Sequence, residues 1–525
     1  MARFYEEIHK SDVASDEREN IQSRANIDKW IFRLLLLLIG LMPLIVMGST
    51  REILSPLISN QEVLSSGIKG DLFTYYKSLM IIVITIITSI LFVSKIFFMN
   101  GQIRKTPFNY ILGLLLTAIL LSTIFSPSIS IALNGQPNRS EGAIVWVCYI
   151  ALIFIAINIQ YPKNFMRSIM YCMIPFVLLN VFFITMNFYG KDMLQQEWLR
   201  IFVSMTLPAE STISDGSHLL GTLNQWNYMS GMFGMMTVMY LAYSILSKGT
   251  LEKIVTLVMA IVSMAITFMS VSTSGFFAIV CIIPLIIWLI FKSNDSKRAS
   301  LVFALFFIVS GINMHILASE NDKVWSESIG FFYKGTNPYT EIIENSESNS
   351  RSSFELGLLG EKAFAAENSF ELPVLPEGAW SGGTGRTYIW KETLKLVEER
   401  PWLGYGLDTL VYHFPHYQLE ARGNLLIETI VDKPHNVYLG VLFGTGIFGF
   451  IFYMLFVIGT LKGVIKELFA KKEATTLATL AVVWLAFLIQ SLFNDTTPAM
   501  TGTLFVLVGM LLGIQYNKKE INGGN

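Results

Sequence analysis

Apolar runs of about 20 residues, divided by short polar stretches, recur along most of this chain. A helix needs about 20 apolar residues to cross a bilayer. On that measure twelve spans are expected, at 30–48, 78–98, 107–124, 143–159, 168–188, 226–246, 252–271, 275–292, 299–318, 436–459, 475–493 and 498–514. Only VSTSG separates 252–271 from 275–292, which predicts a tight hairpin or a re-entrant feature. The pattern breaks once, over the mostly polar residues 319–434, and then resumes. The expectation is an all-α polytopic membrane protein of about 12 transmembrane helices, with one large extracytoplasmic loop containing short helices. Its parts are a tail at 1–29, helices one to nine at 30–318, the loop at 319–434, helices ten to twelve at 435–514 and a tail at 515–525.

Basic residues give the orientation, because Lys and Arg collect in cytoplasmic loops. They crowd the first tail and every second loop, as in Lys95, Arg104, Lys105 and Lys462, Lys466, Lys471, Lys472. The alternate short loops hold few, among them Arg51, Lys69, Arg139 and Lys191. Both termini are therefore expected in the cytoplasm, and the long loop outside. The polar first 29 residues predict a cytosolic tail rather than a cleavable signal peptide.

Within the long loop, residues 341–377 are rich in Ser, Asn and Glu and predict a mobile insertion. From 384 the pattern changes. Ile389, Trp390, Leu394 and Val397 fall at helical spacing, so 387–400 is expected to be an amphipathic helix. Pro401 closes it, and WLGYG makes a turn.

Composition agrees: the chain is 53% hydrophobic with a mean hydropathy of +0.52. A net charge of −1 gives no reason to expect nucleic acid. The three cysteines, Cys148, Cys172 and Cys281, have no metal-ligand spacing, and no disulfide framework is expected. No DxD-type carboxylate pair for a divalent metal stands in an outer loop, and no intramembrane chain of acids and bases suggests a proton-coupled pump.

Candidate chemistry gathers at the outer face. His435 opens an apolar helix beside Asn436. An imidazole there can take a proton from a hydroxyl near neutral pH, or can merely cap the helix. Arg386 lies in GGTGRTYIW, at the start of the amphipathic helix, where a guanidinium and helix N-terminal amides suit an anion; a solvated loop arginine is the plainer alternative. Arg139, with Glu141 beside it, is either a surface ion pair or a second cation for a phosphate. Asn224, Gln225 and Asn227 in GTLNQWNYMSG can bond sugar hydroxyls or cap a helix. Asp495 in NDTTP is explained by turn chemistry alone.

These residues resemble the O-antigen ligase / O-antigen polymerase family of bacterial membrane glycosyltransferases. That family's signature is a histidine, then Asn, Ser or Gln, nine residues, glycine, two residues and glycine. Here it is met by His435, Asn436, Gly446 and Gly449. GRTYIW followed by ERPWLGYGL is similar to the family's preceding block, STIFSPSISIALNGQPNRSEG to its first-half outer loop, and GTLNQWN to its mid-chain element. One element departs. Many relatives carry an S-R-G whose arginine helps grip the lipid diphosphate, whereas this chain has VSTSGFF. Arg139, Arg422 and Lys433 are the candidate replacements, Arg139 first.

The resemblance implies a C-type glycosyltransferase-like fold in the bacterial plasma membrane. It implies inverting, metal-independent transfer of a glycan from a polyprenyl-diphosphate-linked oligosaccharide donor to a glycan, lipid-linked glycan or protein acceptor. It gives His435 and Arg386 catalytic roles, and Arg139, Asn436, Lys433, Arg422, Asn224, Asn227 and Trp390 substrate-binding ones. No cofactor, metal or nucleic acid is expected. The alternatives are a protein O-oligosaccharyltransferase of the same family and a non-enzymatic flippase or transporter of lipid-linked glycan.

Overall fold

The computed structural model describes residues 2–59, 64–208, 218–223, 225–333, 335–340, 385–425, 429–469 and 475–523; the side chains of 2–16, 422 and 518–523 lie outside that description. The acidic segment 341–377, Gly383, Asn224 and the side chain of Arg422 therefore fall outside the described residues.

The first helix, α1 (Ala2–Leu41), runs unbroken from the polar leader into the apolar stretch that begins at 30. A small antiparallel hairpin follows, β1 (Ser49–Ile53) with β2 (Gly67–Asp71), in register Ser49 with Asp71 through Ile53 with Gly67. The hydrophobic pattern predicts only a loop here. Its strands, STREI and GIKGD, are short, charged and glycine-bearing, so they carry little β signal.

The membrane helices are α2 (Tyr75–Phe98), α3 (Pro107–Ile124), α4 (Ala143–Asn158), α5 (Phe165–Phe188), α6 (Trp226–Leu246), α7 (Thr250–Met269), α8 (Thr273–Lys292) and α9 (Ser296–Glu320). After the loop helix α10 (Arg386–Glu399) come α11 (Val437–Leu468), α12 (Thr475–Gln490) and α13 (Pro498–Gly523). Among the described residues nine helices are long and apolar enough to cross a membrane, where the sequence suggested twelve. Two of the others, α4 and α12, have 16 residues each. At about 1.5 Å per residue they reach roughly 24 Å, less than a hydrocarbon core of about 30 Å. The remaining apolar run is the end of α1. Within α5 the helix is interrupted at Met173, where Pro175 denies the backbone a donor.

The helix α6 forms the centre, with its apolar window wholly buried. Helices α7, α8 and α12 pack around it. Thus α7 and α8 are two separate 20-residue helices that share α6 as a partner. Small residues allow the approach: a Cβ on Gly275 would stand 1.9 Å from the Ser230 carbonyl oxygen. On the other side α13 packs on α4, and α3 on α11.

The helix expected at 387–400 is present as α10. It buries Tyr388, Ile389, Glu392, Thr393 and Val397. Leu394, read as part of the apolar face, is 47% exposed instead, because Glu392 turns inward and pairs with Lys395 at 2.7 Å.

Candidate functional site

His435 comes off the long loop immediately before α11. Its backbone has φ 53, in the left-handed region that non-glycine residues seldom occupy. Such a conformation costs of order 1–3 kcal/mol and persists only where the surroundings impose it. Four hydrogen bonds impose it here. The Trp390 ring N–H, one turn along α10 from Arg386, donates to the Pro434 carbonyl at 2.8 Å. The Val437 N–H donates to the Ser491 carbonyl at 2.9 Å. The Asn436 side chain caps α11 by accepting from the Leu439 N–H at 3.0 Å, and it donates to the Leu492 carbonyl at 3.1 Å.

Held this way, the His435 Nδ1 lies 2.7 Å from the Asp495 Oδ2. Among the described residues no donor is well aligned on that oxygen, so the attraction between the two charges carries much of the contact. The Asp495 carboxylate is almost fully buried, whereas the imidazole is 30% exposed. Burial works against the imidazolium, but Asp495 and then Asp432 outweigh it, and the His435 pKa is raised above 6.5. Burial likewise disfavours the Asp495 anion, yet His435, Lys433 and Arg139 hold its pKa below the usual value. Nε2 of His435 has no hydrogen-bond partner among the described residues, and the side chain is 30% exposed.

Arg386 begins α10 behind Gly385, whose φ of 78 turns the chain into the helix. It is half-buried and makes no ion pair among the described residues. Burial lowers its pKa, with Asp495 and Glu327 working in the other direction. It is close enough to His435 to oppose protonation of the imidazole.

Arg139 and Lys433 sit deeper and are both paired. Arg139 contacts Asp432 and stands 5.6 Å over the Tyr228 ring; it does not pair with the adjacent Glu141. Lys433 takes Glu141 instead, at 2.8 Å, and also donates to the Thr496 carbonyl at 3.2 Å and lies 3.7 Å from Asp408. Burial would lower Lys433, but Glu141 and Asp408 hold its pKa above that of a free lysine. Burial, with Glu141, pushes the Asp408 carboxyl up despite Lys433. A cleft lined by Glu141, Asp408, Asp432, Lys433, Val437 and Asp495 runs through this cluster.

The turn VSTSG, between α7 and α8, presents hydroxyls and no arginine. Ser272 donates to the Asn227 Oδ1 at 2.7 Å, Ser274 accepts from the Asn494 amide at 2.7 Å, and Thr273 bonds Glu327. Asn227 is thus engaged in holding that turn.

The glycines of both motifs have a structural cause. Gly446 interrupts α11 with φ 63 and ψ −173. The turn after α10 docks into the break: Tyr405 N–H reaches the Phe443 carbonyl at 3.0 Å, Gly406 N–H the Gly444 carbonyl at 2.9 Å, and Ile447 N–H the Pro401 carbonyl at 2.7 Å. A broken helix at membrane depth needs other backbone to satisfy its freed groups, and the PWLGYG turn supplies it. A Cβ on Gly446 would meet the Trp402 backbone at 2.4 Å, and one on Gly404 the Phe443 carbonyl oxygen at 2.3 Å. The two glycine motifs therefore lock α10 to α11, which sets Arg386 beside His435.

Asp495 is the residue that sequence reasoning missed. Its one available signal was position: it is the sole carboxylate in the turn that closes the last outer loop. The pairing with His435 arises across 60 residues, between helices whose packing the sequence does not spell out.

Residues 257–454 match the family model described as O-antigen ligase. The O-antigen ligase of Pseudomonas aeruginosa is 37% identical over 73 residues, which is 14% of this chain and 16% of that protein. The chain thus matches less than a fifth of that relative's length. Both comparisons bear out the resemblance to the O-antigen ligase / O-antigen polymerase family, and the stretch matched by the family model includes Arg386, His435, Asn436, Gly446 and Gly449.

Proposed function

We propose, from that resemblance and from the His435–Asp495 pair beside Arg386, that this chain is a membrane glycosyltransferase of surface-polysaccharide biosynthesis. It moves a glycan from a polyprenyl-diphosphate carrier to an acceptor hydroxyl at the outer face of a bacterial plasma membrane. The observation that carries the reading is the imidazole: one ring nitrogen set on a buried carboxylate, in a side chain that is itself 30% exposed.

The chemistry follows from that geometry. Nε2 of neutral His435 takes the acceptor's hydroxyl proton, and Asp495 stabilises the imidazolium that forms. The acceptor oxygen forms a bond to the anomeric carbon as the bond from that carbon to the diphosphate oxygen breaks. The diphosphate leaves with the electron pair. One displacement inverts the anomeric configuration. The negative charge grows on the leaving oxygens, where Arg386, without a carboxylate partner among the described residues, offsets it in a half-buried site. The step draws on no metal or cofactor, as the resemblance implies.

The test is glycan transfer by purified protein in lipid from a synthetic polyprenyl-diphosphate donor. His435→Ala is expected to slow transfer by about 10²–10⁴ while the protein stays folded. Arg386→Ala is expected to lose a comparable share. Full turnover in both variants would sink this site assignment. Movement of lipid-linked glycan between leaflets with no transfer to any acceptor would instead support a flippase.

A further inference from the structure

The buried cations of the site differ in how completely they are satisfied. Lys433 has three N–H donors and three acceptors in reach, on Glu141, Thr496 and Asp408. It is a fixed structural charge. Arg139 has five N–H donors. Two of its nitrogens are engaged, one with the Asn138 carbonyl at 2.9 Å and one with Asp432, and its Nε is buried with no acceptor among the described residues. The Tyr228 hydroxyl is also buried without a partner among the described residues. Arg139 thus keeps buried donor capacity that no acceptor among the described residues fills.

Asp432 is the more open member of the pair, 23% exposed against 12% for Arg139. Its side chain holds no second cation among the described residues, and the segment is anchored by its backbone instead, through the Gln136 amide on the Asp432 carbonyl at 3.2 Å. The carboxylate can therefore leave Arg139 without unmaking the fold around it. A phosphate offers three strong acceptor oxygens in the geometry that a guanidinium fork fits, where a carboxylate offers two.

We propose that Asp432 is a built-in stand-in for substrate diphosphate on Arg139, and that a bound diphosphate displaces it. The exchange supplies the second cation that the arginine-free VSTSG turn lacks. It also moves a carboxylate away from Arg139 only when a stronger anion arrives, so weak anions are rejected. The inference rests on the donor reading above and deepens it, but its readout is binding, not transfer.

The experiment measures affinity of the full chain in lipid nanodiscs for inorganic diphosphate and for farnesyl diphosphate. Asp432→Asn is expected to bind both about tenfold tighter, near the low end of coupling between close charge pairs. Arg139→Gln is expected to bind more weakly than wild type, and Arg139→Gln with Asp432→Asn to show no gain over Arg139→Gln alone. Should Arg139→Gln fail to fold, Arg139→Lys, which keeps the charge without the fork, takes its place with the same expectation. Unchanged or weaker binding by Asp432→Asn overturns the proposal. So does an equal gain without Arg139, since removing any nearby negative charge would then explain it. Tighter binding of farnesyl than of inorganic diphosphate assigns the exchange to a lipid-linked donor, and parity assigns it to a free diphosphate. Exchange without glycan transfer would leave this anion site standing and remove the proposed activity; transfer that needs His435 but ignores Asp432 would do the reverse.

Discussion

Two histidines on the long loop show how surroundings set a residue's chemistry. His413 is packed against the Tyr405 ring at a centroid distance of 4.5 Å, and burial with nearby Arg400 lowers its pKa to about 4. It is neutral at any working pH and fills space. His435 has the opposite setting, with Asp495 and Asp432 outweighing burial and Arg386. A base with a raised pKa is active only once deprotonated, so the transfer rate is expected to climb as pH rises through a value above 6.5. Asp495→Asn removes the main stabiliser of the imidazolium. Its profile is expected to shift to lower pH and its maximal rate to fall, as measured by rate against pH at saturating donor; an unmoved profile would show that Asp495 does not act through His435. The same pair has a stability signature. A histidine whose folded pKa is raised stabilises fully below its unfolded pKa near 6.5 and loses that contribution as pH rises through the folded value. The wild type is therefore expected to lose more melting temperature between pH 6 and pH 9 than His435→Gln.

At the scale of elements, the junction of α10 and α11 decides the site's geometry. The sequence displayed both glycine motifs, but as a pattern without a cause. The cause is contact between them, two stretches 40 residues apart meeting backbone to backbone. Gly446→Ala would place a methyl 2.4 Å from the Trp402 backbone at a φ of 63. It is expected to lower both the melting temperature and the transfer rate. Gly113→Ala on α3 has open space around its new methyl and a helical backbone. That substitution is expected to be neutral or to stabilise by up to about 1 kcal/mol. Equal melting temperatures for Gly446→Ala and wild type would show that the junction tolerates slack.

For the whole molecule, the Lys433 cluster ties together segments far apart in sequence. Glu141 comes from the loop between α3 and α4, Asp408 and Lys433 from the long loop, and Thr496 from the turn between α12 and α13. Removing one partner of a buried pair leaves its carboxylates uncompensated, at a cost of about 3–5 kcal/mol. Lys433→Met is therefore expected to melt well below wild type even before activity is considered. Arg298→Ala, which breaks the exposed contact with Asp295, is expected to stay within about 1 kcal/mol. Comparable losses in the two variants would mean the cluster is only a surface feature.

The linear pattern determined the membrane class, most helix positions, the amphipathic helix at the long loop's end and the residues worth suspecting, because hydrophobic length and helical period are local properties. It could not decide which charges pair. Arg139 stands next to Glu141 in sequence, yet takes Asp432, and Glu141 takes Lys433. Nor could it promote Asp495 from a turn residue to the partner of His435, or show that Trp390 holds the Pro434 carbonyl and Asn227 the VSTSG turn. Those pairings depend on which helix ends meet at the loop face. Tertiary packing alone fixes that meeting, since a buried charge takes whichever opposite charge the fold brings within reach, not the one nearest along the chain.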